Sequence, residues 1–224
     1  MVEELFHLPI GTQLEPEELA TVINHRAPIY DKHKDQHFNL ISALHKSLRG
    51  ADPDAALYWL ARMLVGGEDK SYIFRRLVRF ASEDIGLADP NAITQALACW
   101  DAYMRLGSPE GDLALAQCVI YLATAPKSNA AHKALNLAKA SAEKSGSLSP
   151  PLHVLNAPTR LMENLGYGKE YKYDHDSEQG FSGQNYFPDR LVPEKFYQPI
   201  ERGFEREIIK RLSYWDKLRQ IKNQ

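Results

Sequence analysis

Five consecutive residues, Gly67-Glu68-Asp69-Lys70-Ser71, resemble the end of a phosphate-binding loop, because they close on a Lys-Ser pair. A working loop of this kind has a glycine directly before the lysine, since its backbone amides cradle the phosphates. Here two carboxylates stand where the anion would lie. The segment therefore predicts a turn between two helices, and we expect neither an ATP site nor any other cofactor-binding residue in this chain.

Histidines and aspartates are interspersed near the start of the chain, where His33, His37 and His45 lie close to Asp31 and Asp35. Two of these histidines are four residues apart and could share one face of a helix, as metal ligands sometimes do. The same segment also holds two lysines and lacks an HExxH pattern. We therefore interpret it as the polar start of a helix and expect no metal site.

Two carboxylate clusters are candidates for acid–base chemistry, Glu83-Asp84 and the trio Asp174, His175 and Asp176. Such chemistry needs groups that face each other in a cleft. The first cluster lies near a helix end beside an arginine, which favours an ion pair or a cap. The second falls in an irregular segment and is typical of a solvated loop. No nucleophile elbow or Cys–His arrangement is present, so we expect no catalytic residue.

The two cysteines, Cys99 and Cys118, each lie inside an apolar segment. Neither has a CxxC partner or histidines at ligand spacing, which argues against zinc. The pattern predicts buried, reduced thiols in a cytoplasmic protein.

Basic residues set among leucines and aromatic rings are the remaining candidates for function: Lys46, Arg49, Arg75, Arg76 and Arg79. Arginines in this setting can position phosphates of nucleic acid. They are equally common at protein interfaces, where the guanidinium pairs with carboxylates. The formal net charge of -2 gives no cation excess over the whole chain, so DNA binding would need a local patch. Both interpretations stay open on the residues alone, and we favour subunit or intramolecular contacts.

The elements that must position these side chains are helices. Asp52-Pro53 gives the clearest start, because aspartate caps a first turn and proline suits the first helical position. The segment 109–125 is apolar nearly all round, so we expect that helix in the centre of the core. The predicted class is all-α, an antiparallel bundle with short turns. Its helices cover residues 38–48, 53–65, 71–85, 90–106, 109–125 and 128–145.

The sequence changes character after residue 146. The segment 147–200 is rich in glycine, tyrosine, aspartate and proline, and it predicts a long irregular arm anchored on the body by its aromatic rings. A last helix is expected over 201–222, with Phe204, Ile208, Leu212 and Trp215 in line. The segment contains seven cationic residues and four carboxylates, one of which is Glu205. We interpret this balance as a solvated face.

Bulk composition is that of an ordinary globular protein, with 224 residues of which 44% are hydrophobic and 25% charged. No apolar run approaches the roughly 18 residues that a membrane helix needs. The first ten residues include two glutamates and no basic region, so we expect no signal peptide. These features predict a cytoplasmic protein without a membrane partner.

Several long segments together resemble one known family. They are YDKHKDQHFNLISALHKSLRG, DPDAALYWLARMLVGGEDKSYIFRRLVRFASEDIGLADP, LAQCVIYLATAPKSNAAHKAL, NAPTRLMENLGYGKEYKY and YFP. The chain resembles the replication-associated recombination protein A family (RarA, also called MgsA), whose members are AAA+ ATPases related to clamp loaders and whose eukaryotic relatives bind the Werner helicase. The resemblance covers roughly residues 14–212. Lys34 and Ala51 depart from the glycine and serine expected at two turn positions of the family pattern.

The resemblance implies a C-terminal region without the ATPase core. Residues 1–29 would end the AAA+ lid, 30–146 would form a collar-like oligomerisation domain, 147–200 the arm and 201–224 the C-terminal helix. We expect Met1 to begin a truncated piece of the family architecture rather than a natural split protein. ATP and magnesium would belong to the parent protein, and no family ATPase residue has a counterpart here.

By the same resemblance, the function would be assembly. The chain would be a non-catalytic domain that forms a homotetramer within a DNA-dependent ATPase acting at stalled replication forks. Single-stranded DNA-binding protein and DNA would be partners, in the cytoplasm near the nucleoid. We expect the alanine-rich helix 128–145 and the aromatic arm to be contact surfaces. The alternative is a module that contacts fork or single-stranded DNA through its basic helices.

Overall fold

The structure, a computed structural model, describes residues 34–177 and 179–222, with side chains from residue 38 onward. The predicted lid segment 1–29 and the side chains of His33 and His37 lie outside these residues. Every regular element in the described ranges is helical, which confirms the all-α class. The described residues contain eight α-helices: α1 Lys34–Arg49, α2 Pro53–Val65, α3 Lys70–Phe80, α4 Ala92–Leu106, α5 Asp112–Thr124, α6 Ala130–Ser145, α7 Arg160–Asn164 and α8 Glu205–Lys222.

The chain forms two compact units. The first unit contains α1 to α5, from the described residues up to 82 and from 91–125. The second contains residues 83–90 and everything described from 126 onward, including α6, α7 and α8. The domain boundaries predicted after residues 29, 146 and 200 stay predictions.

Helix α5 is the central element of the first unit, as its apolar composition predicted. It packs against α1, α2, α3 and α4. Its buried residues are Leu115, Cys118, Val119, Leu122 and Ala123. The prediction was too broad in one respect, because Leu113 and Ile120 on its outer side are exposed.

A side-chain cap accounts for the start of α2, and stacked aromatic rings fill the core between α3 and α4. Asp52 caps α2 by accepting a hydrogen bond from the Ala55 amide at 2.9 Å. In the core, the Phe74 ring is fully buried and lies parallel to Trp100, with the ring centroids 5.8 Å apart. Burial of such rings supplies much of the hydrophobic stabilisation of a unit this size.

The chain leaves α-helical geometry after Phe80, earlier than the predicted end at residue 85. Residues Ala81–Ile85 form a π-helical turn and Gly86–Ala88 a 3₁₀ turn. Within the second unit, the Asp84 carbonyl of this turn accepts a hydrogen bond from the Ser128 amide at 2.8 Å.

The second unit contains the largely exposed helix α6, the arm and α8. Helix α6 packs on the Gly86–Ala88 turn. The arm contains only short helical turns and the five-residue α7, and its rings anchor it within the unit, as Phe181 does on Trp215 of α8 at a centroid distance of 5.0 Å. None of the described helices has the length and apolar character needed to cross a membrane.

The start and the buried side of α8 differ from the prediction. The helix begins at Glu205 rather than at 201, because residues 201–204 form a turn in which the Phe204 amide donates to the Ala88 carbonyl at 2.8 Å. Phe204 and Leu212 are exposed, and the residues that α8 buries are Glu205 and Leu218. The interpretation of Glu205 as part of a solvated face was therefore wrong.

Candidate subunit or nucleic-acid interface

Helix α3 carries three of the five predicted contact residues on the side away from the core. The buried residues of this helix are Ile73, Phe74, Leu77 and Phe80. The opposite side presents Arg75 and Arg79 to solvent, one helical turn apart, with Arg76 half-buried beside them. Helical periodicity therefore separates the arginines from the core that holds them in place.

Helix α1 brings the other two predicted residues to the neighbourhood of α3. The buried His45 ring meets the Phe80 ring edge-on, with centroids 5.5 Å apart. Lys46 and Arg49, which follow on α1, are exposed. His45 thus serves packing between two helices, and in the described part of the chain no three potential ligands are close enough to hold a metal ion.

The cations of this surface differ in their surroundings. The Arg75 guanidinium lies over the Tyr72 ring, 5.7 Å from its centroid. The Arg76 Nε is buried without a hydrogen-bond partner. Burial raises the pKa of Tyr72, and the charges of Arg76 and Arg75 offset part of that rise. Among the described residues, no carboxylate lies within ion-pair distance of Lys46, Arg75 or Arg76, so their charges can engage an external anion or a partner's carboxylate.

Lys70, from the segment that resembles a phosphate loop, has a structural partner. Its Nζ lies 2.8 Å from Asp112 Oδ1 and contacts Ser108 Oγ, which donates to Asp112 at 2.9 Å. Burial raises the pKa of Asp112, but the hydrogen bonds from Lys70 and Ser108, with the ammonium charge, outweigh it and hold that pKa below its usual value. Lys70 therefore fastens α3 to the turn before α5. The turn between helices that was predicted for the segment 67–71 lies between α2 and the start of α3.

The carboxylate trio is only partly the solvated loop that the sequence predicted. Asp174 is half-buried and accepts hydrogen bonds from the Ser182 amide at 2.7 Å and the Tyr186 hydroxyl at 3.0 Å. Those two hydrogen bonds close a loop of the arm. The hydrogen bond from the Ser182 backbone amide is the main cause that lowers the pKa of Asp174. His175 and Asp176 are exposed. The arrangement organises the arm and lacks a nucleophile paired with a base.

An exposed apolar stripe on α4 was missed by the sequence reasoning. Ile93, Leu97 and Met104 are 39%, 48% and 65% exposed and fall on one line of the helix. The buried residues of α4 are Ala92, Ala96 and Cys99, on another side. The signal was present in the sequence, because α4 has apolar residues on more sides than its own core can cover.

Helix α6, predicted as a contact surface, is also mostly uncovered. Of its 16 residues only Ala130 is buried, and Leu135 and Leu137 are each about half-exposed. These two leucines lie on different sides of the helix. The part of the chain that the structure describes thus leaves apolar side chains without cover in both units.

Comparison with known proteins identifies what kind of domain this all-helical fold is. Residues 7–49 match the AAA C-terminal domain family, and residues 50–216 match the family described as MgsA AAA+ ATPase C terminal. Both are domains that lie C-terminal to an AAA+ ATPase core and do not contain it. The chain belongs to the MgsA family of AAA+ ATPases, of which it is the C-terminal domain.

Relatives carry names from replication-associated recombination. Replication-associated recombination protein A of Coxiella burnetii is 53% identical over 192 residues, which are 85% of this chain and 44% of that protein. The Escherichia coli K12 protein of the same name is 45% identical, over 90% of this chain and 45% of its own length. The Dictyostelium discoideum protein ATPase WRNIP1 is 42% identical over 83% of this chain and 21% of its own. The chain therefore spans less than half the length of these relatives.

Proposed function

We propose that this chain is the non-catalytic assembly domain of its family, and that it holds copies of the ATPase together as a homotetramer. The observation that carries the proposal is the exposed apolar stripe of α4, formed by Ile93, Leu97 and Met104. A row of large apolar side chains left in water is typical of a protein interface rather than of a monomer's surface. Helix α6, which is almost entirely exposed, offers a second uncovered surface.

The remaining assignments follow from the same proposal. Nucleotide and magnesium chemistry would lie in the part of the relatives that this chain does not match. DNA and single-stranded DNA-binding protein would be partners of the assembled protein, and the cytoplasm near the nucleoid its place of action. The contacts of Lys70 with Asp112 and Ser108 support a structural rather than a nucleotide-binding role for that lysine.

The double substitution Leu97→Asp with Met104→Asp should dissociate the assembly. Two carboxylates placed in the middle of an apolar contact would be desolvated without partners, which weakens association by several kcal/mol. We expect the unchanged chain to have a mass near four times 25.4 kDa by light scattering at tens of micromolar, and the variant to have a lower mass.

A control on the same helix is Ala98→Asp, which adds the same carboxylate at an exposed position off the stripe. This variant should keep the mass of the unchanged chain. A clean monomer for the unchanged chain would overturn the proposal, and a tetramer that survives the double substitution would exclude the α4 stripe as its contact.

The second candidate function is contact with DNA, favoured by Lys46, Arg75 and Arg76, for which the described residues supply no carboxylate within ion-pair distance. Lysine and arginine side chains of this kind release counterions when they meet phosphates, so binding would weaken steeply with salt. Arg49 and Arg79 flank these residues on the same two helices and would extend the surface.

Charge reversal of Arg75 and Arg76 tests this alternative. Under it, Arg75→Glu with Arg76→Glu should weaken binding to forked or single-stranded DNA by about tenfold or more and reduce the salt dependence, as measured by fluorescence anisotropy. Lys139→Glu with Lys144→Glu on α6 changes the net charge equally and serves as the control. Equal loss in both variants would point to bulk charge, and no loss in the first would remove this surface from consideration.

A further inference from the structure

Helix α2 presents a largely apolar side to solvent. It packs against α1 and α5, and its buried residues are Ala56, Leu60 and Met63. The opposite side, the α2 face, consists of Asp54, Tyr58, Ala61, Arg62 and Val65. These positions follow one line of the helix, because they are separated by steps of three or four residues. Tyr58 is 54% exposed and Val65 is 70% exposed, so large side chains of this face meet water.

The α2 face carries one charge of each sign, and the two charges lie at its opposite ends. Asp54 and Arg62 are the only charged residues in the sequence of α2, and Tyr58 lies midway between them. Each is four residues from Tyr58, about 6 Å along the helix axis. Among the described residues, no cation lies within ion-pair distance of Asp54 and no carboxylate within that distance of Arg62.

The Arg62 side chain is held by packing rather than by strong hydrogen bonds. Its Nε is buried without a hydrogen-bond partner, and its Nη1 donates to the Tyr58 hydroxyl at 3.4 Å. The Tyr58 ring in turn meets the Trp59 ring edge-on, with centroids 5.1 Å apart. Tyrosine, tryptophan and arginine are the residue types that contribute most to binding at protein interfaces. A guanidinium fixed in this way is preorganised for a carboxylate from another molecule.

We propose that two copies of this chain pair through their α2 faces, with the helices antiparallel about a two-fold axis at Tyr58. Antiparallel pairing places Asp54 of one copy opposite Arg62 of the partner subunit, and the symmetry repeats that ion pair on the other side of the axis. The opposed ends of the two helix dipoles also attract. A face with one charge of each sign has no surplus for a polyanion, whereas it is complementary to itself, as a two-fold contact requires.

The inference rests on the proposed assembly function and adds a second interface to it. A tetramer with dihedral symmetry needs two different two-fold contacts. The α4 stripe supplies one of them and the α2 face the other, and both lie in the first unit. Loss of either contact should therefore leave dimers, and loss of both should leave monomers.

Charge reversal and charge exchange test the α2 contact by light scattering at tens of micromolar. Arg62→Asp sets two carboxylates against each other at both ends of the contact, and Asp54→Arg does the same with two cations. Each variant should fall from the mass of four copies to that of two. The chain with both substitutions has opposite charges facing each other again and should recover the mass of four copies. Arg62→Asp combined with Leu97→Asp and Met104→Asp should be a monomer.

The control is Glu110→Arg, which reverses an exposed charge in the turn before α5 and should keep the mass of the unchanged chain. Four copies persisting in both single variants would overturn the α2 contact and leave the assembly proposal standing. Single variants that dissociate without recovery in the exchanged chain would overturn it too, because the two charges would then not face each other. A monomeric unchanged chain would overturn both proposals.

Discussion

Replacement of Glu205 by alanine should lower the free energy of unfolding of the second unit by about 4 kcal/mol. The side chain is fully buried and accepts three hydrogen bonds. They come from Ser128 Oγ at 2.8 Å, the Tyr197 hydroxyl at 2.9 Å and the Ile200 amide at 2.9 Å. Removal of a buried hydrogen-bonded carboxylate leaves each donor unpaired, at a cost of about 1–3 kcal/mol for each.

The partners of Glu205 come from different segments of the second unit, which makes the effect larger than the loss of a local cap. Ser128 precedes α6 and is 77 residues away in the sequence, while Tyr197 and Ile200 end the arm. Burial, then the hydrogen bond to Glu205 and its charge, raise the pKa of Tyr197, so this hydroxyl remains a donor at neutral pH. The carboxylate therefore ties α6, the arm and α8 together.

The matched control for this prediction is Glu207→Ala. Glu207 lies on the same turn of α8, is exposed, and accepts from Lys210 at 2.7 Å. An exposed pair of this kind contributes little. Urea unfolding followed by circular dichroism should separate the two variants by several kcal/mol, and hydrogen exchange should quicken over residues 197–210 in the first alone. Equal stability of the two variants would mean that the buried network is not what holds α8.

The contrast between α2 and α8 explains how far the sequence predicts this fold. The start of α2 was predictable because Asp52, Pro53 and the first-turn amides lie within a few residues of each other, so local chemistry decides it. The burial of Glu205 depends on a serine 77 residues away, and no charge count along a helix contains that information. A count of charges predicted a solvated face for α8, because such a count cannot distinguish a buried carboxylate from an exposed one.

The candidate interface was predictable in part for the same reason. Sequence periodicity could place Arg75 and Arg79 away from the core, since the apolar residues of α3 fix its buried side. Whether each cation has a partner depends on neighbouring helices, which is why Arg76 could not be told apart from the others. The α4 stripe was missed because Leu97 and Cys99 are both apolar, and only the packing of α4 on α5 shows which of them is covered.

Replacement of Gly203 by alanine should destabilise the second unit by about 3 kcal/mol or more. The residue has φ +51, in the left-handed region that costs an alanine about 1–2 kcal/mol. A Cβ here would also overlap the Ala88 carbonyl oxygen and lie 2.8 Å from Pro126 Cγ. The overlap is with backbone that accepts the Phe204 amide, so relief requires α8 to move away from its first anchor.

Gly180→Ala separates the two contributions to this loss. Gly180 has φ +61 in the same unit, and nothing lies within 4 Å of a Cβ built there. It should therefore lose only the conformational part, about 1–2 kcal/mol. Urea unfolding of both variants should differ by about 2 kcal/mol, and hydrogen exchange at the Phe204 amide should increase only in Gly203→Ala. Equal losses would indicate that left-handed strain alone acts at Gly203, and that the turn 201–204 is loose enough to accept a side chain against Ala88.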